Sequence, residues 1–458
     1  MARLFGTDGV RGVANLELTP ELAYCIGRAG AVVVSEGEPA CFLVGRDTRA
    51  SGEMLECAVI AGILSTGCSV RRAGIMPTPA ISSLISPIGC EGGFVISASH
   101  NPFQYNGIKI FSPEGYKLPD PLEDAVERLM KKMSLKDDLP RAKDFAIGRL
   151  HEDTEAANLY VERVKKMFKG VDLSGLKLVL DCANGATTKL APRVLSDLGA
   201  EVTVINGEPD GFNINAGCGS TSPSALSQAV RNIGADAGIA YDGDGDRAIA
   251  VDERGQIVDG DQIMAIFAEY MLERNLLKGG AIAATVVSNF GLELWLKERG
   301  IALERTPVGD KYVFQRMLER GLNLGGEQSG HIILRDYANT GDGIITSVQL
   351  ARVMIESQRS LSELAGIIQR VPQVTVNVPV ENGLRHNLLK HEATTRLKAM
   401  AAMRLGSKGR VVVRGSGTEP VVRVLVEANS LELAREVADE LAKGISELAG
   451  KLKTCDSK

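Results

Sequence analysis

The chain has 458 residues, too many for one hydrophobic core, so length alone predicts three or four domains. Its composition, 44% hydrophobic and 24% charged, is that of a soluble globular protein, and no run reaches the ~18 apolar residues that cross a bilayer. A net charge of −5 removes the electrostatic case for nucleic acid or an acidic membrane surface as partner.

The opening MARLFGTDGVRG lacks the long apolar core of a signal peptide, which predicts a cytoplasmic protein. The first regular unit is CFLVGRDTRASGEMLECAVIAGILSTGCSV: strand, glycine-containing loop, helix, strand. Ser51 is placed to cap a helix whose apolar face includes Leu55, Val59 and Ile63. The eight cysteines show no CxxC or other metal spacing. Several, such as Cys57 in LECAVIAG, lie in apolar runs and read as small, reduced core residues.

The same plan returns twice. LKLVLDCANGATTKLAPRVLSDLGAEVTVI puts Leu190, Val194 and Leu198 on one helix face, with Gly199 as the stop, and GGAIAATVVSNFGLELWLKERGIALERT ends its helix at Gly300. The repetition predicts three tandem similar mixed-sheet α/β domains. The last ~90 residues differ: PQVTVNVPV and two β-rich runs in GRVVVRGSGTEPVVRVLVEA, with helices over Leu388 to Leu405 and Leu431 to Leu452. They predict a smaller α+β C-terminal domain. Expected domains are 1–150, 151–252, 253–370 and 371–458.

Four strings carry chemistry. In SASHNP, Ser99 and His100 follow the strand GGFVI at the abrupt turn of Asn101–Pro102, the strand end where α/β folds place reactive groups. A hydrolase triad is a weaker reading, since no GxSxG elbow is present. Lys109, ten residues on, can return on a second strand toward the same point. In YDGDGDR the carboxylates of Asp242, Asp244 and Asp246 alternate with glycine and can converge on one hard divalent cation, with Mg²⁺ the natural choice. An EF-hand loop is the rival, with Glu253 at its twelfth position. Arg247 stands where that loop needs glycine, and the flanks look like strands. Arg247 is a fixed cation able to hold an anion beside the metal. GGEQSGH presents Glu327, Ser329 and His331 at alternate positions, which suits a polyhydroxylated ligand. RGSGTEP combines a guanidinium, hydroxyls and flexible backbone N–H groups, which suits a phosphate, and Arg423 adds charge.

Together, in this order and across essentially the full length, the strings resemble those of the α-D-phosphohexomutase superfamily. They match its phosphoserine, metal, sugar and phosphate loops. The resemblance implies that Ser99 carries a transferable phosphoryl group, with His100 beside it. One Mg²⁺ per chain would be held by Asp242, Asp244, Asp246 and a phosphate oxygen on Ser99, with Arg247 and Arg11 completing the catalytic set. Lys109 and His331 are the two candidates for general acid and base. Thr306 and Gly309 in TPVGDK, with Glu327 and Ser329, would contact the sugar, and Arg414, Ser416, Gly417, Thr418 and Arg423 the phosphate that does not react. LFGTDGVRGVAN and the GEQSGH form are most similar to the amino-sugar branch. That branch interconverts glucosamine 6-phosphate and glucosamine 1-phosphate through glucosamine 1,6-bisphosphate, which also serves as activator. The partners implied are a small-molecule hexosamine phosphate and a second copy in a homodimer. A glucose- or mannose-phosphate mutase and a non-catalytic sugar-phosphate sensor are the alternatives.

Overall fold

Runs of β-branched and aliphatic residues bounded by glycine form strands, and the first segment has six. They are β1 (Val10–Val13), β2 (Cys41–Arg46), β3 (Ser69–Ile75), β4 (Gly92–Ile96), β5 (Tyr105–Phe111) and β6 (Leu150–Glu152), in the sheet order β1-β5-β4-β2-β3-β6. β2 runs parallel to β3 and β4, and β3 to β6, whereas β5 is antiparallel to β4 and β1. The computed structural model describes residues 3–6, 8–135, 139, 141–416 and 420–456. Gly417 and Thr418 therefore lie outside the described residues.

Helices α1 (Pro20–Val34), α2 (Gly52–Leu64) and α3 (Thr78–Ile88) follow β1, β2 and β3. Leu55, Val59 and Ile63 are fully buried in a core with Ile26, Phe42 and Phe94, as their spacing predicts. Two expectations for this helix fail. Ser51 makes no capping hydrogen bond; its hydroxyl accepts from Asn106 Nδ2 at 2.9 Å. Cys57 is exposed, because it falls on the face of α2 opposite that stripe, whereas Cys68, Cys90, Cys182 and Cys218 are buried.

The second segment repeats the plan with β7 (Lys177–Asp181), β8 (Glu201–Ile205), β9 (Ala237–Tyr241), β10 (Ala248–Asp252) and β11 (Ile257–Val258), ordered β11-β10-β9-β7-β8. β7 is parallel to β8 and β9; β10 is antiparallel to β9. Strands on both sides of the three aspartates exclude an EF-hand, and Glu253 accepts hydrogen bonds from Ser362 instead. The third segment contributes β12 (Ala281–Thr285), β13 (Ala302–Thr306) and the antiparallel pair β14 (Leu324–Gly326) and β15 (Ile332–Leu334).

The last segment is an antiparallel sheet of β16 (Gln373–Pro379), β17 (Arg410–Gly415) and β18 (Val421–Glu427), with β18 central. Val422, Val424 and Val426 pack under the long helix Leu431–Asp456. The single helix expected over Leu388–Leu405 is two, Asn382–Lys390 and Glu392–Leu405. His391 is extended between them and accepts from the Ala393 N–H at 3.1 Å, capping the second. The architecture is thus three similar mixed-sheet α/β domains followed by a smaller α+β domain.

The chain forms two compact units, Met1–Ala283 with Gly309–Gly366, and Ala284–Val308 with Ile367–Lys458. Among the described residues no helix is long and apolar enough to cross a membrane.

Candidate active site

The parallel strands β2 and β4 end side by side, which carries Asp47 and Arg49 next to Ser97 and Ser99. Ser99 is fully buried with φ 52°, in the left-handed region that a non-glycine residue occupies only under constraint. The constraint is visible. Arg49, itself fully buried, donates to the carbonyls of Ser99 (2.8 Å), Asn101 (2.9 Å) and Tyr105 (3.0 Å), and Asn215 Nδ2 also donates to Ser99 O at 2.9 Å. The Asp47 carboxylate pairs with Arg49 at 2.8 Å and accepts from Ser97 Oγ at 2.6 Å, and that hydroxyl in turn accepts from the Ser99 N–H at 2.9 Å. A guanidinium fan therefore presents the serine hydroxyl outward from the loop.

That hydroxyl meets the aspartates. Ser99 Oγ donates to Asp242 Oδ2 at 2.6 Å, and oxygens of Asp242, Asp244 and Asp246 all lie within 4.8 Å of one another. Gly245, at φ 71°, makes the turn that lets the last two converge. Burial, then the charges of Asp246 and Asp244, hold the Asp242 carboxyl well above the ordinary range. Burial would raise Asp246 too, but His331 and Lys109 outweigh it and hold Asp246 well below. Asp244 Oδ1 and Asp246 Oδ1 are buried without a hydrogen-bond partner among the described residues. Orphaned buried acceptors are costly. An all-oxygen set at this spacing fits a hard divalent cation such as Mg²⁺.

Cations ring the cluster. Lys109 returns on β5, 1% exposed, with Nζ 2.7 Å from Asp244 Oδ2 and 2.9 Å from Asp8 Oδ2. Burial favours its neutral form, but Asp244 and Asp8 outweigh this and keep it charged. Arg11, on β1, pairs with Asp8, and Arg247 approaches Asp246 at 3.7 Å. The buried Nε atoms of Arg11 and Arg247 have no hydrogen-bond partner among the described residues. Burial, then Arg247 and Arg11, push the His100 imidazole down to about 4. Its neutral ring stands with Nδ1 3.3 Å from Ser99 Oγ.

The β14–β15 turn carries the GGEQSGH residues. Glu327 and Ser329 are half-buried; Glu327 accepts from the Gly309 N–H at 3.2 Å and from Ser329 Oγ at 3.5 Å. His331 lies between Asp246 (3.5 Å) and Asp310 (3.6 Å). The Gly341 N–H points at His331 Nε2 at 3.0 Å, which needs a lone pair there and a neutral ring. Burial also favours the neutral ring, while Asp246 and Asp310 raise its basicity above that of a free imidazole, so it takes up a proton readily once the Gly341 contact is given up.

The other predicted residues lie in the second unit. Thr306 is buried, its hydroxyl donating to the Pro307 carbonyl at 3.0 Å. Arg414 and Arg423 are directly opposed on β17 and β18, which places two guanidinium groups side by side. Ser416 is buried, and its carbonyl accepts from Arg385.

Sequence reasoning missed Asp8, Asp47, Arg49, Thr78, Lys117, Asn215 and Asp310. Thr78, at the start of α3, donates to Asp244 Oδ2 at 2.6 Å, and Lys117 bridges Asp8 and Asp310. Only GRDTRAS at a strand end and the D of TPVGDK gave a sequence signal.

Four phosphoglucomutase/phosphomannomutase profiles match in order: domain I over residues 2–137, domain II over 158–255, domain III over 259–371 and the C-terminal domain over 376–444. The chain belongs to the phosphoglucomutase/phosphomannomutase family. Within this family it is 50% identical over 448 residues to a phosphoglucosamine mutase of Ruminiclostridium cellulolyticum, covering 97% of this chain and 99% of that one. A Burkholderia thailandensis family member of known structure is 26% identical, with a TM-score of 0.82 and 97% of each chain covered. An Aspergillus fumigatus N-acetylphosphoglucosamine mutase, solved with GlcNAc-6P and magnesium, shares the fold at a TM-score of 0.70 and 16% identity, covering 97% of this chain and 96% of that one.

Proposed function

We propose that the chain interconverts glucosamine 6-phosphate and glucosamine 1-phosphate, a reading supported by half-identical relatives that carry the name phosphoglucosamine mutase. The observation that carries the reading is the Ser99 hydroxyl, 2.6 Å from Asp242 on a backbone forced into the left-handed region.

Ser99 carries the phosphoryl group. Its O–P bond breaks as a sugar hydroxyl oxygen bonds to phosphorus; the hydroxyl proton passes to the neutral His331 ring, and the departing Ser99 Oγ takes a proton from charged Lys109 and so can donate to Asp242 again. The resulting 1,6-bisphosphate turns end for end and returns its other phosphoryl group to Ser99. Phosphoryl transfer depends mainly on alignment and charge neutralisation. Arg11 and Arg247 are assigned to the anion, a role their orphaned Nε atoms support. Asp242, Asp244 and Asp246, with a Ser99 phosphate oxygen, would hold one Mg²⁺, which would offset the charge of the transferring group. The magnesium in the fungal fold neighbour supports that choice.

Glu327, Ser329, Gly309 and Thr306 are assigned to the sugar. Arg414, Ser416 and Arg423, with Gly417 and Thr418, are assigned to the distal phosphate; the opposed arginines support this. Domain limits near residues 150, 252 and 370, a homodimer and a cytoplasmic setting complete the proposal; the profile boundaries support the first.

The test is Ser99→Ala in a coupled assay on glucosamine and glucose phosphates, with intact-mass measurement of the phosphoenzyme. Loss of the phosphoryl adduct and of turnover, with the 2-amino sugar preferred by the parent, is expected. A folded Ser99→Ala protein that turns over at the parental rate defeats the proposal.

A further inference from the structure

Two cysteines meet at the end of the first sheet away from Ser99. Cys41 opens β2, and Cys90 follows Gly89, the left-handed stop of α3, just before β4. β2 and β4 are parallel neighbours with Phe42 opposite Gly92. The ladder continues past them: the Glu91 N–H donates to the Cys41 carbonyl at 2.9 Å, and the Cys41 N–H to the Glu91 carboxylate at 2.8 Å. The backbone is thereby pinned on both sides of the two side chains. Their sulfurs lie 3.3 Å apart, with the Cys90 thiol donating to Cys41 Sγ.

We propose that Cys41 and Cys90 are a reversible redox pair, in which a hydroperoxide oxidises Cys41 and Cys90 resolves the product to a disulfide. Closing the gap to a ~2.0 Å bond requires an approach of only about 1 Å. Cys41 is partly exposed and reachable by a small oxidant, whereas Cys90 is 5% exposed. The hydrogen bond from Cys90 pulls the Cys41 thiol down against burial, and the same contact pushes Cys90 up. Cys41 is therefore the attacking sulfur and Cys90 the resolving one.

In the first step the Cys41 sulfur bonds to one peroxide oxygen and the O–O bond breaks. The departing oxygen takes the thiol proton, leaving a sulfenic acid and an alcohol, or water if the oxidant is hydrogen peroxide. In the second step the Cys90 sulfur bonds to Cys41 sulfur, the S–O bond breaks, and the hydroxide leaves with the Cys90 proton as water. The two thiols lose two electrons, which the hydroperoxide accepts, and an external dithiol reverses the result. β4 spans five residues. At ~3.3 Å per residue the strand alone puts roughly 17 Å between the pair and Ser99. The bond would brace β2 against the α3–β4 connection and spare the site.

The experiment treats the full chain with hydrogen peroxide, alkylates the remaining thiols and maps peptides without reduction. The expected result is a Cys41–Cys90 linked peptide, lighter by two hydrogens and separated by dithiothreitol, with Tm raised by several degrees and turnover within twofold of the untreated protein. In Cys90→Ser, Cys41 accumulates a sulfenic acid that a cyclic 1,3-diketone traps. The proposal is overturned if Cys41 and Cys90 are both alkylated under conditions that oxidise the exposed Cys57, or if parental Cys41 proceeds to sulfinic acid without the linked peptide.

Discussion

Arg49 Nη2 donates to the Ser99 carbonyl at 2.8 Å, so a buried guanidinium sets the backbone of the residue proposed to carry the phosphoryl group. Lysine keeps the charge but cannot span several carbonyls at once. Arg49→Lys is expected to cost about 1–3 kcal/mol of stability through the unsatisfied carbonyls. It should lower turnover roughly 100-fold by displacing Ser99. Urea denaturation and a saturating coupled assay read the two effects; an unchanged rate would show that the fan does not position the serine.

Thr78 holds one oxygen of Asp244 and aims the other into the cluster. Thr78→Val removes that hydrogen bond at nearly constant shape. Affinity for Mg²⁺ should fall about 10- to 100-fold, as for other partners that orient metal ligands. Titrating activity against Mg²⁺ gives the value, and an unshifted midpoint would count against the assignment.

The buried aspartate cluster leaves Asp244 Oδ1 and Asp246 Oδ1 without a hydrogen-bond partner among the described residues, so chelation should lower Tm and Mg²⁺ restore it by mass action. Asp242→Asn relieves part of the repulsion, and its Tm should respond much less to Mg²⁺. Scanning calorimetry with and without EDTA tests this; equal responses in parent and variant would exclude Asp242 from the ligand set.

Gly341 leaves room for the His331 ring. A Cβ there would stand 2.6 Å from the imidazole. Gly341→Ala is expected to displace the ring, costing about 1–3 kcal/mol from overpacking. It should cut turnover more than it raises KM, because the altered group is the one proposed to move a proton rather than to bind sugar. A pure KM effect would reassign His331 to binding.

Asp342 caps the helix Gly343–Ser357 and accepts from Tyr160 at 2.8 Å, yet burial raises its carboxyl to about 6. A raised carboxyl binds its proton more tightly folded than unfolded, so its stabilising contribution is present in acid and is lost as pH rises from ~4 through ~6. The span is worth roughly 3 kcal/mol. Asp342→Asn should therefore match the parent near pH 4 and exceed it above pH 6, as read by denaturation at each pH. A constant difference across that range would remove the burial account.

The strings legible in the sequence were those whose chemistry is local. Three aspartates alternating with glycine, and glycine-jointed polar turns, announce themselves within a few residues. Lys109 could be foreseen because it returns on the strand next to Ser99. Asp8 and Lys117 could not, because each is one charged residue whose meaning comes from the fold bringing it to the others, and Asp310 showed only as part of the TPVGDK loop. Arg49 stood in GRDTRAS, but its role was hidden for a further reason: apart from Asp47, its partners are backbone carbonyls, which leave no trace in side-chain patterns. The Ser51 and Cys57 readings failed because a cap and a core position depend on a neighbour, Asn106, and on helical phase.

Ser99 and Asp242 are 143 positions apart, and His331 lies further still along the chain. A growing polypeptide emerging from the ribosome thus exposes its serine long before any partner exists to use it. The proposed constellation is complete only once residue 331 has been made, late in synthesis.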